Sequence, residues 1–393
     1  MAQPDDAVRQ QYERWPYPQP IDDLDTWLQR HWEWFDPSHA HRQLWPDRPN
    51  AERLEILIAG CGTNQAAVFA YTNPSSHVVG IDVSQSGLAH HTQLKQRYGL
   101  SNLELRELPV EAAHTLQQDF DLVVATGVLH HLADPNAGLA ALTQRLKPLG
   151  CMALMVYGQI GRLGVELMQQ LFGELKLQKD ETSLQIIRDS FAWIDPLHPL
   201  RSYLAIAPDL HYDAGLIDTF LNARERTYTV RDCLALVAQA GLVFQDWFFK
   251  EPYHPVMAQP TSNALLDAIA QLNPECQWTA MERIKTRNAC HFLLACKPER
   301  PSESYRVDFA GGDPSQIVPS LRWRCRLEQG QLITPQLTIQ LSGSEQDLLQ
   351  RIDGSRRVDE LAGEGELSSA IEIIQRLWLL DALVLALPPS DSK

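Results

Sequence analysis

The chain has no CxxC pair, no compact His/Asp/Glu spacing such as HExxH, and no run approaching the roughly 20 apolar residues that cross a bilayer. Its seven cysteines are odd in number and scattered, which argues against a disulfide framework and a structural zinc site. No metal is expected. Basic side chains are in short supply, 34 Lys and Arg against 49 Asp and Glu, for a formal charge of −15. That mean field repels nucleic-acid phosphates and favours cationic or neutral partners, so no nucleic-acid partner is expected. Internal repeats and low-complexity tracts are absent. The opening "MAQPDDAVRQQYERW" is too polar and acidic for a signal peptide, and the expectation is a cytoplasmic protein with no membrane partner.

What is present is enough apolar material for a full core: 393 residues, 44 % of them hydrophobic, a length that fits two domains or one with an appendage. Residues 1–50 are rich in Trp, Tyr, Pro and His. They read as a short helix, an extended Pro-rich crossing and a second helix near 23–35, forming an aromatic arm or lid. From residue 54 short β-branched runs alternate with helices of about 10–15 residues, the pattern of βα units on a parallel sheet. The expected fold is α/β: a doubly wound, mostly parallel seven-stranded Rossmann-like sheet spanning 51–298. A helical cap is inserted at 158–226 and a further helical stretch at 261–288. The segment "PERPSESY" reads as a linker. Residues 305–393 read as a small α+β, winged-helix-like domain, with a strand, a helix after Ser344, a turn at Asp353-Gly354, two more helices and a final strand.

The stretch "LEILIAGCGTNQAAVF" runs from an apolar strand into Gly60 and Gly62 and then a helix. Glycines there let a ligand approach the backbone, because no Cβ stands in the way. A dinucleotide site asks for GxGxxG, and Gln65 stands where its last glycine would be. Asn64 replaces a third glycine, and its short amide suits a positive-φ turn. Twenty residues beyond Gly62 the strand "HVVGID" ends in Asp82, a carboxylate able to accept both hydroxyls of a ribose. Strand, turn and acid together leave a nicotinamide dinucleotide and S-adenosylmethionine both open.

The succession "LIAGCGTN", "GIDVSQSGL", "LRELPVE" and "FDLVVATGVLHHLADPNAGLAALTQRLKPLGCMALMVY" resembles the class I S-adenosylmethionine-dependent methyltransferases over about 100 residues. The resemblance implies S-adenosyl-L-methionine as cofactor. Gly60, Cys61, Gly62 and Asn64 would lie beside its amino-acid moiety, and Asp82 would bind the ribose, with Val83 and Ser84 lining it. Leu108 would lie against adenine, and Thr126 and Gly127 under the methionine part. The chain departs from the family in carrying Ile58 where an acidic residue usually ends the first strand. A residue from the arm or the cap would have to replace it.

His130 and His131 in "VLHHLADP" are the candidate catalytic residues, since imidazole titrates near neutrality and can take a nucleophile's proton. The alternative is that the pair packs the loop. Methyl transfer from a sulfonium depends mainly on in-line placement and desolvation. For the acceptor and lid the candidates are Tyr12, Trp15 and Tyr17 of the arm, whose aromatic faces suit a cation, with Tyr157, His198, Tyr203 and His211. The Tyr-x-x-x-Pro-Tyr-Pro opening is similar to that of some bacterial methyltransferases. "IDGSRRVDEL" resembles small winged-helix domains that grip leader peptides, and rickettsial-type protein-lysine methyltransferases pair a similar core with trailing domains. The expected function is methyl transfer to an amine of a protein or peptide. A small-molecule N- or O-methyltransferase, a non-catalytic SAM-binding sensor or scaffold, and a nicotinamide-dependent reductase are the alternatives.

Overall fold

The computed structural model describes residues 4–48, 53–258 and 263–388, with side chains from Val8 onward. The expected arm–domain boundary at 50/51 and the first two residues of the 261–288 insert lie outside the described residues. The chain forms two compact units. The first is Met1–Trp34, Glu52–Phe244 and Lys285–Lys297, and the second is Phe35–Ala51, Gln245–Ile284 and Pro298–Lys393.

Seven strands make one sheet: β1 Glu55–Ala59, β2 His77–Asp82, β3 Leu103–Glu107, β4 Phe120–Thr126, β5 Leu146–Tyr157, β6 Val243–Trp247 and β7 Cys290–Cys296. Their order is β3-β2-β1-β4-β5-β7-β6. Neighbours from β3 through β5 run parallel, and β7 is antiparallel to β5. Strands buried on both faces read as continuous apolar runs, and Ile56 to Ala59 and Leu122 to Ala125 are all fully buried. The order reverses between β1 and β4, so the carboxyl ends of these two strands open a crevice where ligands of doubly wound folds bind.

Helices Gln65–Thr72, Gln85–Tyr98 and Pro135–Thr143 connect the first strands. The second starts where Ser84 accepts the Gly87 N–H and stops at Gly99, whose φ of 64° suits a left-handed cap. The inserted cap is helical as expected, with helices Leu163–Glu174, Glu181–Trp193, Leu200–Leu204 and Asp213–Leu221. It packs its own core of Val165, Phe172, Leu184, Ile187, Leu200 and Leu216. Helix Val230–Gln239 then begins with a reciprocal capping box between Thr229 and Asp232.

The arm departs from expectation. Its helices are Pro4–Arg14, Leu24–Leu28 and Pro37–Leu44, so the helix expected near 23–35 is short. The third helix arises because Pro37 starts it rather than breaks it: Asp36 caps it and proline fits the first turn.

In the second unit β8 Val318–Leu321 pairs antiparallel with β12 Leu383–Ala386, and β9 Arg326–Glu328, β10 Gln331–Ile333 and β11 Thr338–Gln340 form a meander. Helices Gly343–Arg351, Val358–Leu361 and Leu367–Leu379 follow in the order expected. They close on Leu332, Ile339, Leu348, Val358, Ile374 and Leu377. The "PERPSESY" segment is not a free linker. Arg300 is buried and donates to Gln245 Oε1 at 2.9 Å and to the Leu44 carbonyl at 3.0 Å, so the polar composition hides a packed crossing.

Candidate active site

The crevice widens into a cavity of about 890 Å³, within the roughly 300–1,000 Å³ of small-molecule sites. Every residue that lines it belongs to the first unit. All nine residues expected at the cofactor line it: Gly60, Cys61, Gly62, Asn64, Asp82, Val83, Leu108, Thr126 and Gly127.

The turn after β1 needs its glycines. Gly60 has φ +66°, and a Cβ there would meet Val128 Cγ2 at 2.3 Å. Gly62 has φ +58° with the Tyr17 carbonyl and Pro18 close above it, which brings the arm down onto the turn. Asp82 accepts the Gly62 N–H at Oδ2 and the Ser84 N–H at Oδ1, both at 2.8 Å. Burial raises its carboxyl above the ordinary aspartate value, and these backbone donors pull the other way.

Asn64 does not sit in a positive-φ turn. Its φ is −135°, and its amide instead latches the arm: Oδ1 accepts the Ile21 N–H and Nδ2 donates to the Gln19 carbonyl, each at 2.9 Å. Thr63 Oγ1 adds a bond to the Pro18 carbonyl at 2.7 Å. Residues 29–34 continue along the cavity, where Arg30, Trp32, Glu33 and Trp34 line it. Trp34 packs edge-on against Phe292 of β7.

The opposite wall is aromatic and acidic. Tyr12 and Tyr17 of the arm, Tyr157 at the end of β5, and Tyr203 and Tyr212 of the cap all line the cavity. Tyr12 donates to Asp218 at 2.9 Å and Tyr17 to Asp209 at 3.0 Å, so arm and cap meet through two phenol–carboxylate bonds. Burial, reinforced by neighbouring anions, pushes both phenols well above the ordinary tyrosine value. Burial also raises the Asp209 carboxyl, and the Tyr17 hydroxyl opposes that.

Behind this wall lies Arg162, fully buried, whose Nη2 forks onto both oxygens of Glu225 at 2.9 Å and whose Nη1 donates to Tyr203 Oη at 2.7 Å. Its guanidinium lies 3.7 Å from the Tyr157 ring centroid. A buried charge must be paired and hydrogen-bonded to be tolerated. Here the pairing fixes two of the cavity's tyrosines.

The two histidines part company. His130 is fully buried, does not line the cavity, lies tilted against the Tyr157 ring at 3.9 Å between centroids and has neither ring nitrogen hydrogen-bonded. Burial, with His131 and Arg162 close by, holds it well below the ordinary histidine value, so it stays neutral. The structure therefore does not bring His130 to the reacting space. His131 does line the cavity, with Nδ1 2.7 Å from the Arg224 carbonyl. If Nδ1 carries the proton, Nε2 keeps its lone pair.

Three of the candidate acceptor residues also lie outside the lining. Trp15 packs against the cap core, His198 Nδ1 accepts the Leu200 N–H at 3.1 Å, and His211 is exposed. Sequence reasoning missed Glu33, Gln65, Tyr212, Arg224 and the β7 residues Cys290 and Phe292, all of which line the cavity. Gln65 adjoins the glycine turn in sequence, whereas the others reach the crevice only when the arm, the cap and the returning strand fold onto it. Among the described residues no group of three or more His, Cys, Asp or Glu side chains is placed to hold a metal ion, and no helix is long and apolar enough to cross a membrane.

Comparison with known proteins agrees with this geometry. The family model described as "Methyltransferase domain" matches residues 57–152, which run from β1 into β5 and carry the glycine turn, Asp82 and Thr126. An uncharacterized protein of Synechococcus sp. is 29 % identical over 275 residues, 68 % of this chain and 66 % of that one. A tRNA U34 carboxymethyltransferase of Saccharophagus degradans is 26 % identical over 173 residues, 44 % of this chain and 50 % of that one. The chain thus spans between half and two thirds of the length of these relatives. The solved structure of PKMT2 from Rickettsia typhi in complex with AdoHcy superposes with a TM-score of 0.63 at 15 % identity, covering 90 % of this chain and 75 % of that one. Residues 57–152 thus match a methyltransferase domain, and the chain shares the fold of a solved AdoHcy-bound methyltransferase structure.

Proposed function

We propose that the chain transfers the methyl group of S-adenosylmethionine to an amine of a protein or peptide. The observation that carries the reading is the wall facing the turn: Tyr12, Tyr17, Tyr203 and Tyr212 line, together with Asp209, the same cavity that the glycine turn enters, and Tyr17 donates to the Asp209 carboxylate. Aromatic faces and a half-screened carboxylate attract an ammonium group and hold it near the donor.

In this reading Asp82 would accept from the cofactor's ribose hydroxyls, Leu108 would lie against its adenine, and Gly60, Gly62 and Thr126 would receive its amino-acid end. The amine lone pair attacks the sulfonium methyl carbon in line. The carbon–sulfur bond breaks with its electron pair going to sulfur, and S-adenosylhomocysteine leaves. The amine must first lose a proton. His131, with Nδ1 tied to the Arg224 carbonyl, offers Nε2 as its acceptor, whereas the raised phenols of Tyr12 and Tyr17 remain protonated and serve as walls. The C-terminal residues 305–393, with the helices Gly343–Arg351, Val358–Leu361 and Leu367–Leu379, are assigned to polypeptide contact in the same proposal.

Incubating the purified chain and lysate with deuterated-methyl S-adenosylmethionine, followed by mass spectrometry of proteins and metabolites, tests this. Label on lysine or N-terminal amines is the expected result. Label on metabolites alone would replace it with the small-molecule reading, and binding of S-adenosylhomocysteine with no labelled acceptor would replace it with a sensor. The cofactor placement has its own check: Asp82→Ala should weaken S-adenosylhomocysteine binding by about 1–3 kcal/mol in calorimetry, because a charged acceptor is lost.

A further inference from the structure

We propose that Arg224 and Arg287 form an oxyanion subsite on the acceptor side of the cavity, so that the methyl acceptor carries a carboxylate or phosphate near the amine it offers. The inference rests on the amine reading above and names the class of acceptor within it. Three arginines line the cavity: Arg30, Arg224 and Arg287. Anions are in surplus in this chain, 49 acidic against 34 basic side chains, and Arg162, the buried cation behind the tyrosine wall, is fully paired. Arg224 and Arg287 differ. Among the described residues neither guanidinium has a hydrogen-bond or ion-pair partner, although Glu111 and Asp209 line the same space.

Their backbones are held firmly, which separates them from arginines on a loose surface loop. The Arg224 N–H donates to Asn222 Oδ1 at 3.1 Å, and its carbonyl lies 2.7 Å from His131 Nδ1. Arg287 leads into Asn288 and Ala289, which are packed against the loop after β5. The Ala289 carbonyl accepts the Gly158 N–H at 2.8 Å, and a Cβ on Gly161 would meet the Asn288 carbonyl oxygen at 2.3 Å. His131 follows β4, Gly158 follows β5, and β4, β5 and β7 are successive neighbours in the sheet. Both arginines therefore reach the cavity along one edge of the sheet, the edge that also carries the proposed base. A guanidinium presents a planar fork of donors that matches the oxygens of a carboxylate or phosphate. The mean field of a chain with charge −15 repels anions, so two unpaired cations lining the cavity are its local means of holding one. Asp209 and its tyrosines attract an ammonium, the arginines attract an oxyanion, and an acceptor that bears both groups satisfies both.

The probe is the acceptor that the full chain labels in cell lysate with deuterated-methyl S-adenosylmethionine. With that acceptor purified, the double variant Arg224→Gln, Arg287→Gln should raise KM roughly 10- to 100-fold over the wild-type chain, the range of charged hydrogen bonds, and change kcat less. The double variant Arg224→Lys, Arg287→Lys, which keeps the charges, should fall between the two. S-adenosylhomocysteine affinity in calorimetry should stay within about twofold of wild type in both. Phosphatase treatment of the acceptor should raise the wild-type KM by a similar factor if the oxyanion is a phosphate, and amidation of its carboxylates should do so if it is a carboxylate. Neither treatment should move the KM of the glutamine variant. An unchanged KM in the glutamine variant would overturn the subsite, as would a wild-type KM indifferent to both treatments. Equal weakening of acceptor and S-adenosylhomocysteine would also overturn it, because it would mark a structural loss. The same KM pattern with a labelled metabolite would overturn the polypeptide reading and leave the subsite standing, whereas no labelled acceptor at all would overturn both.

Discussion

His91 shows how a single buried side chain ties acid stability to the ligand turn. It is fully buried in helix Gln85–Tyr98, with Nε2 3.3 Å from the Cys61 carbonyl and Nδ1 without a partner. Desolvation brings its pKa down to about 4, against the backbone bond to Cys61, which works to raise it. The unfolded chain therefore binds a proton near pH 6.5 that the folded chain refuses until about pH 4, so stability from this group is present above pH 6.5 and falls with acidification through that window. The loss amounts to about 2 kcal/mol by pH 5 and about 3 kcal/mol by pH 4. His91→Gln keeps an N–H donor for Cys61 but cannot titrate. Urea unfolding of both proteins at pH 7.5 and pH 5 should show a drop in the wild-type chain that is about 2 kcal/mol larger than in the variant. Identical drops would mean that His91 is not the group responsible.

At the scale of elements, the decisive relation is between the N-terminal arm and the turn after β1. Asn64 was expected to serve a backbone conformation and instead serves a neighbour, holding residues 19–21 through both ends of its amide. Asn64→Ala removes both bonds, worth on the order of 2 kcal/mol together. Hydrogen exchange should then show the Ile21 amide losing roughly 10- to 100-fold of its protection while amides of β1 and β4 are unchanged. Unaltered protection at Ile21 would mean that Thr63 and the other arm contacts suffice. The strands and helices of the sheet were legible because parallel strands buried on both sides leave short apolar runs, and because Ser84, Gly99 and Thr229 mark helix ends in the sequence. That the nine residues expected at the cofactor all line the cavity follows for a related reason: each lies at or just beyond the carboxyl end of a strand that the sequence shows. The arm was not. Its aromatic residues and prolines carry no period, Pro37 starts a helix that the expected pattern does not include, and Glu33 reaches Gln65 across 32 positions of sequence. Histidine pairing misled in the same way, since nothing in "HH" says that one ring faces the cavity and the other is sealed against Tyr157.

For the whole molecule, the two units are interleaved in sequence but the cavity belongs to one of them. The second unit has a polar centre of its own. Asp381 pairs with Arg322 at 2.6 Å, both side chains only 6 % exposed, and also accepts the backbone N–H groups of Lys250 and Glu251. Arg322 donates further to the Phe248 carbonyl and lies over the rings of Phe248 and Phe249. Removing one partner of such a pair leaves a buried charge uncompensated, which costs about 3–5 kcal/mol. Asp381 has φ +59°, a conformation that asparagine tolerates. Asp381→Asn therefore removes the charge without adding backbone strain. Calorimetric melting should show the second unit's transition lowered by several degrees, consistent with a loss of about 3 kcal/mol. Because no residue of that unit lines the cavity, S-adenosylhomocysteine affinity measured below the transition should stay within about twofold of the wild-type value. A melting profile left unchanged would show that the Arg322–Asp381 pair does not hold the second unit. A large loss of affinity at unchanged fold would show that the cavity depends on more of the chain than the residues that line it.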